Sequence, residues 1–250
     1  MSNIVLLLSF FSISGTLLAC TVETPATTKS STQDLVRHLL NQDLGIRKFS
    51  FPEVVHASSG KKVIPFENNK PADSEFLMAL TKAVEAAIVA MNKDDSPVRS
   101  LRRINEASRH FEDHMRNSLQ THPTLTCSIP KNAQGKEQRS GYPDMLITHT
   151  DASGGKTHFY LDPKLYEKKS RSSSFRTFYY EPRTRTNKIQ YDAAHLLIGI
   201  SHDGNQGKWK FLSWEICDLS KFQVRLKAEF QASNRDLYRP HIIVKSSESP

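Results

Sequence analysis

The chain has 250 residues, 38% of them hydrophobic, which is enough to bury one sizeable core. Its 34 basic residues outnumber 26 acidic ones, and the net charge of +8 favours a polyanionic partner, either nucleic acid or an anionic membrane surface. The sequence contains no P-loop, GxSxG elbow, HExxH motif or CxxC pair, which argues against P-loop NTPases, serine hydrolases of the elbow type and zinc enzymes.

The N-terminal segment from Ile4 to Ala19 is almost wholly apolar or small, and Leu17-Leu18-Ala19-Cys20 closes it. This pattern resembles a bacterial lipoprotein signal over residues 1–20, which implies lipidation of Cys20 and attachment to a membrane. No Lys or Arg precedes the apolar run, so a buried N-terminal helix or a wrongly assigned start codon stays open. Residues 21–33 are rich in Thr and Ser and predict a flexible tether.

Three helices are predicted before the first sheet strand. Ser31 to Asp34 caps a short helix that ends near Gly45. After a stretch from 46 to 70 that we interpret as loop with short strands, Asp73 or Ser74 begins a strong helix through Met91. A second long helix is predicted from about Pro97 to Leu119.

Two acidic clusters are the most informative motifs of the chain. Asp144 stands in Gly-Tyr-Pro-Asp before the apolar Met145-Leu146-Ile147, and Asp162 follows His158-Phe159-Tyr160-Leu161. A turn with a Gly-Gly pair separates them, which predicts two adjacent strands. Two carboxylates beside Lys164 suit a Mg²⁺ site that acts on a phosphodiester. Pro163 requires the second strand to be an edge, to be bulged or to end at Asp162.

The motif formed by Pro143, Asp144, Asp162 and Lys164 resembles that of the PD-(D/E)xK nuclease superfamily, which includes many type II restriction endonucleases. The resemblance implies that Asp144 and Asp162 bind Mg²⁺ and that Lys164 acts on the attacking water. It also implies an acidic residue on the preceding helix, for which we favour Glu112 over Glu106. Restriction enzymes of this kind often form homodimers that cut both DNA strands.

A basic segment interleaved with aromatic residues follows the motif and predicts contacts with the DNA backbone or bases. Its candidate nucleic-acid-binding residues are Lys168, Lys169, Arg171, Arg176, Arg183, Arg185 and Lys188. An ordinary solvated basic face is the alternative for this segment.

Further strands are predicted after the basic segment. Leu196 to Ile200 and Trp209 to Ile216 form a hairpin across a Gly-rich turn, and Lys221 to Phe230 alternates like a third strand. Together the elements predict an α/β fold, a restriction-endonuclease-like core with a mixed central sheet flanked by helices. We expect a single nuclease-like domain over residues 34–245 and a disordered tail at 246–250.

Two functions follow from these patterns. The first is a Mg²⁺-dependent DNA endonuclease, of restriction type if the resemblance extends so far. The second is an exported lipoprotein that binds a polyanion or a protein partner without catalysis. A signal-like N-terminus indicates export, whereas a restriction role requires the cytoplasm, so the localisation stays open. Cys127 and Cys217 would form a disulfide only in an oxidising compartment.

Overall fold

The computed structural model describes residues 31–174, 178–227 and 229–245. The chain divides into two units, one that ends at Asp43 and one that begins at Leu44. Within the first unit, helix α1 (Thr32–Leu40) begins at Ser31, whose hydroxyl accepts a hydrogen bond from the backbone N–H of Asp34. The sequence predicts this capped helix, but it ends at Leu40 rather than near Gly45. The predicted lipidation site Cys20, the predicted signal, most of the predicted tether and the predicted tail at 246–250 lie outside the described residues.

The second unit is built on a five-stranded mixed sheet in the order β2-β3-β4-β5-β6. The strands β2, β3 and β4 are antiparallel neighbours, β4 and β5 are parallel, and β5 and β6 are antiparallel. Their bounds are Leu125–Ser128, Met145–Thr150, Lys156–Glu167, Ala194–His202 and Phe211–Asp218. Together with the helices described below, this sheet confirms the predicted α/β class and its mixed central sheet.

Two helices cover one face of the sheet because each presents an apolar stripe. Helix α3 (Pro71–Met91) places Phe76 in a stack on Phe159 of β4, with ring centroids 4.1 Å apart. Helix α4 (Ser108–Gln120) follows a short 3₁₀ helix (Ile104–Ala107), and its Phe111 meets Phe211 of β6 edge to face. The predicted long helix from Pro97 therefore forms as α-helix only from Ser108, since the segment before it is turn and 3₁₀ structure.

The opposite face carries a second, smaller core. Helix α2 (Phe51–Ser59) buries Phe51 and Val55 against Tyr142, Tyr160 and Ile189. The prediction of loop for 46–70 is wrong over α2, because Pro52 stands in its first turn, where a missing N–H is tolerated. Strand β1 (Lys48–Ser50) precedes α2 directly and pairs with β7 (Gln223–Arg225) in a separate two-stranded sheet.

The remaining elements are short. Strands β1 (Lys48–Ser50) and β7 (Gln223–Arg225) are antiparallel, so the predicted strand from Lys221 to Phe230 forms over three residues. Two further 3₁₀ turns (Lys168–Ser170 and Leu219–Lys221) follow β4 and β6, and helix α5 (Asn234–Leu237) is a single turn. Cys127 is buried and Cys217 exposed, and they do not form a disulfide.

None of the helices in the described part of the chain combines the length and the apolarity needed to cross a bilayer.

Candidate active site

The two acidic clusters meet at the open end of the β3–β4 hairpin. The register pairs Met145 with Leu161, so one further step places Asp144 opposite Asp162. The backbone N–H of Asp144 donates to the carbonyl of Leu161 at 3.1 Å, which fixes this alignment. The Gly-rich turn lies at the other end of the hairpin, where Asp151 accepts backbone hydrogen bonds from Ser153 and Gly155. The turn therefore sets the register, and the strands carry that register to the site.

Strand β4 continues through Pro163 without a bulge. It pairs with β5 as far as Glu167, whereas its pairing with β3 stops at Leu161. The carbonyl of Leu161 faces β3, so Pro163, two residues further, faces the same side beyond the start of β3. Its missing N–H therefore leaves no partner unsatisfied. Of the three predicted alternatives, the structure selects an edge, and the edge is local to the second half of the strand.

Asp162 and Lys164 lie on the same face of β4 because strand side chains alternate. The ammonium of Lys164 lies 2.5 Å from Oδ2 of Asp162 and 3.8 Å from Oδ2 of Asp144. Asp162 is only 1% exposed, and neither of its carboxylate oxygens has a hydrogen-bond partner in the described chain. The ammonium of Lys164 therefore forms an ion pair with Oδ2 of Asp162.

The site holds more negative charge than its own lysine balances. Burial raises the pKa of Asp144 to about 8, and the neighbouring carboxylates of Asp162 and Glu112 add to this rise. The ammonium of Lys164 acts in the opposite direction but does not cancel the effect. A carboxyl group that keeps its proton near neutral pH marks a position where a cation would be favourable.

Glu112 approaches the site from helix α4. Its side chain is 16% exposed and lies 4.0 Å from the guanidinium of Arg139. Burial raises the pKa of Glu112. The charge of Lys164 opposes this rise, and the charge of Asp162 adds to it. Glu106, by contrast, is exposed on the 3₁₀ helix. This placement favours Glu112 as the helical acidic residue, since it is close enough to interact electrostatically with the motif.

Lys188 departs from its predicted role at the surface. The structure buries it to 1% exposure, and its ammonium donates hydrogen bonds to the backbone carbonyls of Gln138 and Gly141. Burial lowers the pKa of Lys188 to about 8, while Asp144, Asp162 and Glu112 oppose that change. Lys188 therefore stabilises the segment that leads into Asp144 through these hydrogen bonds. Its position in a basic run does not indicate this role.

A buried pair of rings supports the same segment. The hydroxyl of Tyr142 lies 2.7 Å from Nδ1 of His195, and burial lowers the pKa of this histidine to about 3. Burial also raises the pKa of Tyr142 well above its usual value, so the hydroxyl keeps its proton and shares a hydrogen bond with the neutral imidazole. The Tyr142-Pro143 peptide bond is cis. The pair anchors the residue that stands two positions before Asp144, and sequence reasoning did not identify it.

The other predicted nucleic-acid-binding residues are exposed, apart from Arg176, which lies outside the described residues. Lys168 and Lys169 form the 3₁₀ turn after β4, and Arg185 lies in an exposed stretch. Two of the set form ion pairs. Arg171 binds Glu215 through Nε and Nη2 at 3.1 and 2.6 Å, and Arg183 pairs with Glu181 at 2.5 Å.

The residues present suit a magnesium ion better than a metal held by protein groups alone. Within the described ranges, no three His, Cys, Asp or Glu side chains are arranged as a metal-binding group. Mg²⁺ commonly takes one or two carboxylates and fills its other positions with water and substrate phosphate. Asp144 and Asp162 match that requirement, since the two buried carboxylates lie side by side and Oδ1 of Asp162 has no hydrogen-bond partner in the described chain.

Comparison with known proteins agrees with this geometry. The family model described as the Type II restriction enzyme MjaV family matches residues 44–241, which include the candidate site. The Type II restriction enzyme MjaV of Methanocaldococcus jannaschii is 30% identical over 220 residues, covering 85% of this chain and 93% of the relative. The resemblance to type II restriction endonucleases is thereby confirmed. The chain belongs to the Type II restriction enzyme MjaV family.

Proposed function

We propose that this chain is a restriction-type endonuclease that hydrolyses DNA phosphodiester bonds with Mg²⁺ held by Asp144 and Asp162. Membership of a type II restriction enzyme family supports the reaction class, an endodeoxyribonuclease, and favours it over a binding module without catalysis. The observation that carries the proposed site is the buried carboxylate of Asp162, whose two oxygens lack hydrogen-bond partners beside Asp144 and Lys164.

In this proposal the protein groups orient the reactants around the scissile phosphate. A Mg²⁺ ion bound there would polarise the phosphate and lower the pKa of a coordinated water. Lys164, partly exposed beside both carboxylates, donates hydrogen bonds to the attacking water and to a non-bridging phosphate oxygen. The water oxygen bonds to phosphorus as the bond to the leaving ester oxygen breaks; the water loses a proton to solvent, and the leaving oxygen takes one from solvent. Glu112 is an auxiliary carboxylate that orients the water.

Cleavage of plasmid DNA by the purified chain tests this function. We expect cleavage with Mg²⁺, none with EDTA, none in Asp162→Asn and strongly slowed cleavage in Lys164→Ala, while both variants still bind DNA in a mobility-shift assay. Asp94→Asn is the matched control, since its side chain is fully exposed. Discrete fragments would indicate a sequence-specific enzyme and a smear a non-specific one. Intact DNA with every divalent metal, or full cleavage by Asp162→Asn, would contradict the proposal.

Two narrower proposals concern assembly and anchoring. We infer a homodimer, because one active site cuts one strand at a time and duplex cleavage by a type II enzyme needs both strands cut. Sedimentation with and without duplex DNA tests it, and a monomer that cuts both strands in one binding event would contradict it.

The motif at Cys20 supports lipidation and a membrane anchor. Palmitate labelling that is lost in Cys20→Ala would support the anchor, and an unlabelled soluble product would remove it.

A further inference from the structure

A groove lies beside the small sheet formed by β1 and β7. It is open to solvent and has a volume of about 1140 Å³. We call it the ribbon groove; it is lined by β1, β7, and residues of the segments 178–182 and 226–229. Of the predicted nucleic-acid-binding residues that the structure describes, none lines it. The lining residues on which the argument depends are Lys48, Phe178, Phe222, Arg225, Lys227 and Glu229.

The two-stranded sheet of β1 and β7 places two like charges directly opposite each other. The antiparallel register pairs Lys48 with Arg225, and both side chains are exposed. Like charges at directly opposed positions destabilise a sheet. Neither residue forms an ion pair with any residue that the structure describes, whereas Lys227 is paired with Glu229. The pair therefore has a stability cost that a bound polyanion would remove.

The ribbon groove is joined to the candidate active site through a ring cluster. Phe178, which lines the groove, lies 5.2 Å from the ring of Tyr142. Phe51, the residue directly after β1, lies 5.6 Å from the same ring. Tyr142 stands two residues before Asp144 and is held by His195. The wall of the ribbon groove and the segment that leads into Asp144 therefore share one ring cluster.

We propose that the ribbon groove binds the sugar-phosphate backbone of the substrate DNA, with Lys48 and Arg225 each contacting a phosphate. This inference rests on the proposed DNA-cleaving function and extends the DNA-binding surface beyond the basic segment that follows the motif. The aromatic side chains of Phe178 and Phe222 form the apolar wall against which the deoxyribose packs. Contacts of this kind position the duplex without reading its sequence.

Salt-dependent binding of a labelled duplex to the full chain in EDTA tests the inference. Each lost phosphate contact should reduce the slope of log K against log salt by about 0.9, so Lys48→Gln with Arg225→Gln should reduce it by about 1.8. At about 0.1 M salt, affinity should fall on the order of tenfold to a hundredfold. Lys82→Gln with Lys93→Gln, two exposed lysines on and after α3, is the matched control and should keep the parent slope.

Thermal unfolding separates lost contacts from lost folding. Since the substitutions remove a like-charge pair, the double variant should melt at the parent temperature or above it. If the parent binds and cleaves DNA and the double variant keeps the parent slope of log K against log salt, the proposed role of the ribbon groove is overturned. The proposed function then stays intact. A parent that neither binds nor cleaves duplex DNA would overturn both.

Discussion

The raised pKa of Asp144 has a measurable consequence for stability. Burial and the neighbouring carboxylates raise this pKa from the usual 3.8 to about 8 in the folded chain. Between those two values the folded carboxyl binds a proton that the unfolded carboxyl has lost. Unfolding therefore releases a proton, and the metal-free protein loses stability as the pH rises towards 8.

The size of the effect follows from one proton. The free energy of unfolding should decrease by about 1.4 kcal/mol for each pH unit attributable to Asp144. From about pH 5.5 to about pH 7.5, the parent should therefore lose about 2.7 kcal/mol relative to an Asp144→Asn variant, which has no proton to release. Glu112 titrates in both proteins, so the comparison largely removes its contribution.

Urea unfolding in EDTA at the two pH values measures this difference. Asp94→Asn, which removes an exposed carboxylate, controls for the loss of one surface charge. Mg²⁺ at about 100 times its dissociation constant should add about 2.7 kcal/mol to the parent stability, and Asp144→Asn should lose most of that gain. Parallel curves for the parent and Asp144→Asn across this pH range would refute the reasoning, because they would mean that Asp144 ionises equally in both states.

Three further predictions concern the other charged groups. Lys164→Ala should lower kcat about 100- to 1000-fold while DNA binding persists, and a parent-like kcat would contradict its proposed role. Glu112→Gln should lower activity about 10- to 100-fold, whereas Glu106→Gln should leave it unchanged; equal losses in steady-state assays would remove the distinction. Lys188→Met leaves the carbonyls of Gln138 and Gly141 without their buried donor and should cost about 1–3 kcal/mol in urea unfolding at about pH 6. An unchanged unfolding midpoint would show that this ammonium does not hold the segment.

The sequence predicted the hairpin and the site because both depend on local information. Apolar runs and a Gly-rich turn specify the strands, and the turn sets the register that brings Asp144 opposite Asp162. Period-two alternation then places Asp162 and Lys164 on one face. The apolar stripe of α3 was equally local. The prediction of loop for 46–70 fails at α2, because Pro52 occupies a first helical turn, where a proline is tolerated.

The tertiary structure alone decided which charged side chains are buried. Lys188 belongs to a basic run like its neighbours, yet distant carbonyls of Gln138 and Gly141 enclose its ammonium. Tyr142 and His195 are 53 positions apart and meet only through the packing of β5 beside β4. Lys48 and Arg225 face each other because β7 pairs with β1, although the two strands are far apart in the sequence. The local sequence pattern determined the elements and the acidic motif. Burial and long-range pairing determined the electrostatics of the site, because they depend on residues that are far apart in the chain.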